Sequence, residues 1–175
     1  DAEEIWASVM ATVRDVMKKA SCKPRNIASI GITNQRETTV IWDQNSGIPI
    51  FKAIVWQDRR TTSFCDTLRS AGHEAMITDK TGLLIDPYFS GTKVNWLLEN
   101  VEGAKLAAQK GELLFGTIDS YLIWKMTNGA SHVTDATNAA RTMMYNIVEG
   151  QWDQEICDRL DIPMTILPKV NDCAS

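Results

Sequence analysis

Apolar residues recur at three- and four-residue steps through Ile5, Trp6, Val9, Met10, Val13, Val16 and Met17, the stripe of an amphipathic helix resting on a core. Pro24 and the polar residues before it end that helix. The next segment, Ile27 to Thr33, is nearly continuous in apolar character and predicts an interior strand covered on both faces. Thr39-Val40-Ile41-Trp42 predicts one arm of a hairpin, with Ile48 to Trp56 as the other and the turn-rich Asp43-Gln44-Asn45-Ser46-Gly47 between them. Pro49 weakens one edge of that pairing.

Beyond Thr61 the period becomes helical, over Thr61 to Ala71, Glu74 to Thr81, Ser90 to Asn100 and Ala104 to Lys110, each bounded by Gly, Asp or Pro. Leu113-Leu114-Phe115 predicts a short buried strand. Asp119-Ser120 offers a cap to a helix through Tyr121, Leu122, Ile123, Trp124 and Met126, with Gly129 after its end. Thr142 to Ile147 predicts a further strand and Asp153 to Leu160 a last helix, after which Pro163 and Pro168 mark an extended exit. The mixture is α/β, and the absence of repeats or linkers makes one domain, or most of one, the economical organisation.

Composition narrows the function classes. The 175 residues are 44% hydrophobic and 23% charged, with a net charge of -4, and the basic residues are scattered rather than clustered, which argues against nucleic acid as the main partner. No apolar run approaches the roughly 20 residues needed to cross a bilayer, and the first helix mixes acids with bases, so a cytoplasmic protein is expected. Cys22, Cys65, Cys157 and Cys173 are far apart, and His73 and His132 are the only imidazoles, a pattern that predicts reduced structural thiols and no zinc site. The chain begins at Asp1 inside a helical pattern and stops at Ser175 without a terminal feature, so a piece of a longer polypeptide is expected.

Three polar clusters follow strand-like or turn-like runs. Arg36 and Glu37 end the run Gly31-Ile32-Thr33-Asn34-Gln35-Arg36-Glu37-Thr38-Thr39, where a desolvated charge must find a partner or a ligand. An Arg supplies only donors and an ionised Glu only acceptors, a combination suited to a polyol, although an ion pair at a strand end explains the same residues. Trp56, in Val55-Trp56-Gln57-Asp58-Arg59-Arg60, can cover the carbon face of a small hydroxylated ligand. Trp42, Trp96 and Trp124 read as core, and Asp58 with Arg59 and Arg60 as a salt-bridge cluster. Tyr88, in Asp86-Pro87-Tyr88-Phe89-Ser90-Gly91-Thr92-Lys93, precedes a helix start and can point its hydroxyl into a cleft. Lys93 lies in that helix's first turn, where the dipole disfavours a cation, so it needs a specific carboxylate or backbone partner; a structural salt bridge is the preferred expectation. His132 and Asp135 read better as turn and cap residues than as a catalytic pair. There is no Walker-type loop, no Gly-x-Gly-x-x-Gly and no Gly-x-Ser-x-Gly.

The segments Gly31 to Thr39, Ala53 to Gln57 with Arg59-Arg60-Thr61, and Asp86 to Lys93 with Trp96 together resemble the FGGY family of carbohydrate kinases, and Gly116 to Ser120 and His132 to Thr142 extend the resemblance along nearly the whole chain. Asn34-Gln35-Arg36-Glu37-Thr38 takes the form seen in members that act on glycerol. The resemblance implies an actin-like, ribonuclease-H-like fold in two domains, of which residues 1–175 would be most of the N-terminal one, lacking its first strands and the whole C-terminal domain. It implies that Arg36, Glu37 and Tyr88 hydrogen-bond glycerol while Trp56 packs on its carbons, and that ATP with Mg²⁺ phosphorylates it in a cytoplasmic, homo-oligomeric parent. No catalytic, nucleotide-binding or metal residue is expected in this chain, since the family's general base, an Asp followed by Gln, lies downstream; the chain alone is expected to be inactive. Tyr145-Asn146-Ile147 is followed by Val148 where many bacterial relatives carry a phosphorylatable His, so that form of control is not expected here.

Overall fold

The computed structural model describes residues 1–173. The first helix, α1 (Ala2–Lys19), is capped by the Asp1 carboxylate, which accepts from the Glu3 amide at 2.9 Å. The predicted stripe packs only along its first half: Ile5, Trp6 and Val9 meet the core, whereas Val13 and Val16 are 38% and 57% exposed.

The architecture turns on a short antiparallel ladder between β1 (Val40–Asp43) and β2 (Leu113–Gly116), in which Val40 faces Gly116 and Asp43 faces Leu113. Successive strand side chains point to opposite faces, and the ladder therefore sits between two apolar clusters. Ile41, Leu113 and Phe115 enter the larger one with Leu97, Met144 and Ile156. Val40 and Trp42 enter the smaller one with Tyr121 and Trp124, and Leu114 packs against it from the same side. Trp42 is wholly buried, with the edges of Tyr121, Trp124 and His132 around it at ring-centre distances of 5.2, 6.0 and 5.4 Å. Gly116 lets the next helix approach, because a Cβ there would come within 2.4 Å of Ser120 Cβ.

The helices α2 (Thr62–Ser70), α3 (Glu74–Thr81), α4 (Ser90–Asn100), α5 (Ala104–Gln109), α6 (Ile118–Met126) and α8 (Gln154–Arg159) follow the predicted order, and a short helix not expected from the sequence, α7 (Ala136–Ala139), stands before α8. Four further strand pieces, in two pairs, join them. β3 (Val133–Asp135) pairs in parallel with β6 (Lys169–Asn171), and β4 (Tyr145–Asn146) pairs with β5 (Gln151–Trp152) antiparallel.

Several expectations need correction. Ile27 to Thr33 is not a strand: it joins no ladder among the described residues, and Ile27, Ile30 and Ile32 are 45%, 67% and 36% exposed. A strand exists only where another backbone answers its N–H and C=O groups, and an apolar run does not carry that information. The hairpin arm from Ile48 to Trp56 reduces to isolated bridges at Thr39–Ile54 and Trp42–Pro49, and the true ladder partner of β1 is β2. The strand expected over Thr142 to Ile147 shrinks to β4. Asp119 and Ser120 lie inside α6 rather than capping it; its N-cap is Thr117. The extended exit after Pro168 is β6. Among the described residues no helix is long and apolar enough to cross a membrane, and all four cysteines are free, Cys65 and Cys157 in the core.

Candidate functional site

Arg36 and Glu37 form a turn in which the backbone of Glu37 takes φ +61°, a left-handed conformation that non-glycine residues adopt at a cost. Their side chains diverge there. Arg36 is exposed, and Glu37 is only 2% exposed. The buried carboxylate is answered by Arg141, from the turn after α7, whose Nε donates to Glu37 Oε1 at 2.8 Å. The same guanidinium lies 5.0 Å from the ring centre of Phe89 and 5.7 Å from that of Tyr88. Glu37 Oε2 accepts no hydrogen bond from the described residues, which leaves one carboxylate oxygen for a ligand hydroxyl.

Tyr88 is set by the turn that feeds α4. The Asp86 side chain accepts from the Tyr88 amide at 2.8 Å and pairs with Arg59 at 2.9 Å, so the two predicted segments around Trp56 and Tyr88 are tied together beside the site. The Trp56 and Tyr88 rings lie 5.6 Å apart at 60°, and Trp56 is 38% exposed, with a face available to cover a ligand's carbons. Asp58 bonds Arg60, and that hydrogen bond, outweighing the effect of burial, holds its carboxyl below the usual range. Arg60 in turn lies 4.5 Å over Trp96. The salt-bridge cluster expected of Asp58, Arg59 and Arg60 is thus a single pair, Asp58 with Arg60, while Arg59 goes to Asp86.

Lys93 corrects the salt-bridge expectation. Its side chain is wholly buried and makes no ion pair among the described residues; instead Nζ donates to the Glu37 carbonyl at 3.0 Å and to the Tyr88 carbonyl at 2.6 Å. Burial pushes its ammonium down to about 8, against the opposing pull of the Glu37, Asp58 and Asp86 charges. The structure thus brings Glu37, Tyr88 and Trp56 to one place.

Arg36 is directed elsewhere. Its side chain borders an open groove with Thr33, Asn34, Asp135 and Asn138, and makes no ion pair among the described residues. Asn34 is an anchor: its amide donates to Thr117 Oγ1 and to Asn138 Oδ1, both at 2.9 Å, while Asn34 Oδ1 accepts from the Asp119 amide at 3.1 Å. Thr117 passes its proton-donor role on to Asp119, whose other oxygen accepts from Thr134 at 2.7 Å. Asp135 caps α7 through the Asn138 amide, and His132 bonds the Phe115 carbonyl, with burial lowering its pKa, so the two do not form a catalytic pair.

Arg141 was not singled out as a site residue. Nothing local marks it, for it lies about a hundred residues from its partner; the only available signal was its place in the segment Asn138-Ala139-Ala140-Arg141-Thr142 that carries part of the family resemblance.

The model of the FGGY family of carbohydrate kinases, N-terminal domain, matches residues 1–175. A glycerol kinase of Roseobacter denitrificans is 60% identical over 175 residues, which is all of this chain and 35% of that protein. One from Cereibacter sphaeroides is 62% identical over the same span and share. The crystal structure of Plasmodium falciparum glycerol kinase with ADP superposes with a TM-score of 0.80 at 39% identity, covering 82% of this chain and 28% of that one. The ligand-bound xylulose kinase of Lactobacillus acidophilus does so with a TM-score of 0.84 at 27% identity, over 98% of this chain and 33% of its own. The chain spans about a third of the length of the curated relatives it matches. With the family pattern running through every segment and the actin-like α/β fold of these kinases in place, the chain belongs to the FGGY family of carbohydrate kinases.

Proposed function

We propose that this chain forms the acceptor-binding half of an ATP-dependent glycerol kinase, as most of its N-terminal domain, with Glu37, Tyr88, Trp56 and Arg36 as the glycerol-binding residues. The observation that carries the reading is the Glu37 carboxylate, buried and paired on one oxygen by Arg141, whose guanidinium also lies over the Tyr88 ring of the Trp56–Tyr88 pair, while the other oxygen has no partner among the described residues. A free carboxylate oxygen accepts a hydroxyl proton, and the rings cover a short carbon chain. The Tyr88 hydroxyl, which has no partner among the described residues, can donate or accept. Arg36 is exposed at a groove it lines with Asn34 and Asp135, and its part in binding rests on its place next to Glu37 in the family segment. The naming of close relatives as glycerol kinases supports the same acceptor.

In the reaction, an acceptor hydroxyl oxygen forms a bond to the γ-phosphorus of ATP, the bond from that phosphorus to the bridging oxygen breaks, and the hydroxyl proton leaves to a base. This chain's contribution is to bind the polyol, orient the attacking oxygen and shield its carbons from water, the positioning part of a catalysis that otherwise rests on electrostatic stabilisation of the transferring group. Among the described residues no group of three or more His, Cys, Asp or Glu is placed to hold a metal ion, and in the reading proposed Mg²⁺ would come with the nucleotide, held by its phosphates and one or two carboxylates. Base and nucleotide contacts belong to residues outside this chain in the reading proposed.

The test is ATP-dependent phosphorylation by the full-length protein, compared across glycerol, tetritols, pentitols and hexoses, with the 175-residue chain assayed alongside. Glycerol should be preferred by at least about tenfold in kcat/KM, the discrimination expected of one misplaced polar or methylene group, and the chain alone should show nothing above blank. Preference for a longer polyol or a sugar would overturn the acceptor assignment. Turnover by the isolated chain would overturn the division of labour, and a full-length protein inactive on every acceptor would point to a binding module.

A further inference from the structure

Lys93 occupies a position that physical chemistry disfavours in three ways. Its ammonium is wholly buried, it has no carboxylate partner among the described residues, and it sits in the first turn of α4, where the helix dipole repels a cation. An apolar side chain of the same length would fill that space without the desolvation cost. What the ammonium does that an apolar group could not is bind two carbonyl oxygens from separate turns: that of Glu37 at 3.0 Å and that of Tyr88 at 2.6 Å. Ser90, from the same first turn, adds a longer bond from its hydroxyl to the Glu37 carbonyl at 3.4 Å.

The Glu37 carbonyl belongs to a backbone held at φ +61°. Such a conformation persists only where the surroundings over-determine it. The Glu37 carboxylate and the Tyr88 ring, both assigned to the acceptor, meet the same Arg141 guanidinium, which bonds the one at 2.8 Å and lies 5.7 Å from the centre of the other, so the distance between them follows from where their backbones are pinned.

We propose that Lys93 is a positioning and specificity-determining residue of the acceptor site: by holding the Glu37 and Tyr88 carbonyls to one point it fixes the separation of the carboxylate and phenol walls, and so the length of polyol admitted. This rests on the acceptor reading above. Preorganised walls lower the ordering cost of binding, and a fixed gap discriminates against an acceptor with an extra carbon.

The experiment is steady-state kinetics of full-length wild type and Lys93→Met, with thermal unfolding recorded for both. The acceptor is whichever polyol the wild type phosphorylates, so that failure of the glycerol assignment shows in the wild-type control and failure of the Lys93 role shows in the variant. Lys93→Met should raise the acceptor KM about tenfold, leave the KM for ATP within about twofold, and narrow the preference for the three-carbon polyol over a tetritol. The ATP readout separates positioning from general damage, which would move both substrates. An unchanged acceptor KM, parallel rises in both KM values, or loss of folded protein would overturn the proposal, the last two assigning Lys93 to the core.

Discussion

Glu37→Gln lowers kcat/KM for glycerol by about a hundredfold in the full-length enzyme while moving the melting temperature by no more than about 3 °C. The two halves of this expectation come from different sides of the carboxylate. Toward the ligand, Glu37 offers an oxygen with no partner among the described residues, and a hydrogen bond to an ionised group is worth about 1.5–3 kcal/mol, the upper end of which corresponds to that factor. The amide of Gln has one acceptor and one donor end: if the oxygen faces Arg141, the ligand meets an NH₂, and if the ligand meets the oxygen, Arg141 meets the NH₂. Toward the protein, the amide removes a carboxylate charge whose burial is itself costly and keeps an oxygen able to accept from Arg141, which is 31% exposed and hydrates in place, so the net change in stability is small. Steady-state kinetics with varied glycerol, together with a melting curve, checks both halves. An unchanged kcat/KM would remove Glu37 from the site, and a fall in melting temperature of the size expected for a core mutation would make it a structural residue.

Asp119→Ala costs about 3–4 kcal/mol of stability and lowers the melting temperature by roughly 5 °C. Asp119 is 4% exposed and accepts from the hydroxyls of Thr117 and Thr134, both themselves buried. Truncation leaves two buried donors without an acceptor, each at the full desolvation cost of about 1–3 kcal/mol, and loosens Thr117, which receives the Asn34 amide. Since Asn34 anchors the segment that ends in Arg36 and Glu37, the same variant should weaken glycerol binding as well. Thermal unfolding of the full-length variant measures the first effect. A melting temperature within about 2 °C of wild type would show that the network is solvated or expendable.

How much of this was legible in the sequence depended on whether the signal was local. α3 and α4 emerge with the bounds their apolar spacing and flanking Gly, Asp and Pro residues indicate, because a helix answers its own hydrogen bonds. The Ile27 to Thr33 run misled for the converse reason, a strand being defined by a partner that hydropathy does not name. β3 and β6 span three residues each and pair across the chain, too short for a period-two pattern to register.

The site divides in the same way. Glu37, Trp56 and Tyr88 were visible as polar or amphipathic groups at the ends of apolar runs, and the structure brings them together. Arg36 was paired with Glu37 by adjacency, but a turn with φ +61° sends neighbouring side chains apart. The dipole argument for Lys93 was sound in demanding a specific partner. It went astray in preferring a carboxylate, because two carbonyls from distant turns leave no trace in a sequence. Arg141 could not be found by spacing at all, since its partnership with Glu37 exists only once the chain between them has folded.

The central claim is that the acceptor lies against Glu37, Trp56 and Tyr88. A crystal structure of the full-length protein with glycerol tests it most directly. The account predicts a glycerol hydroxyl within hydrogen-bond distance of Glu37 Oε2, its carbon chain against the Trp56–Tyr88 ring pair, and Arg141 still bound to Glu37 Oε1. Glycerol bound elsewhere, with the Glu37 carboxylate facing only protein or solvent, would contradict it.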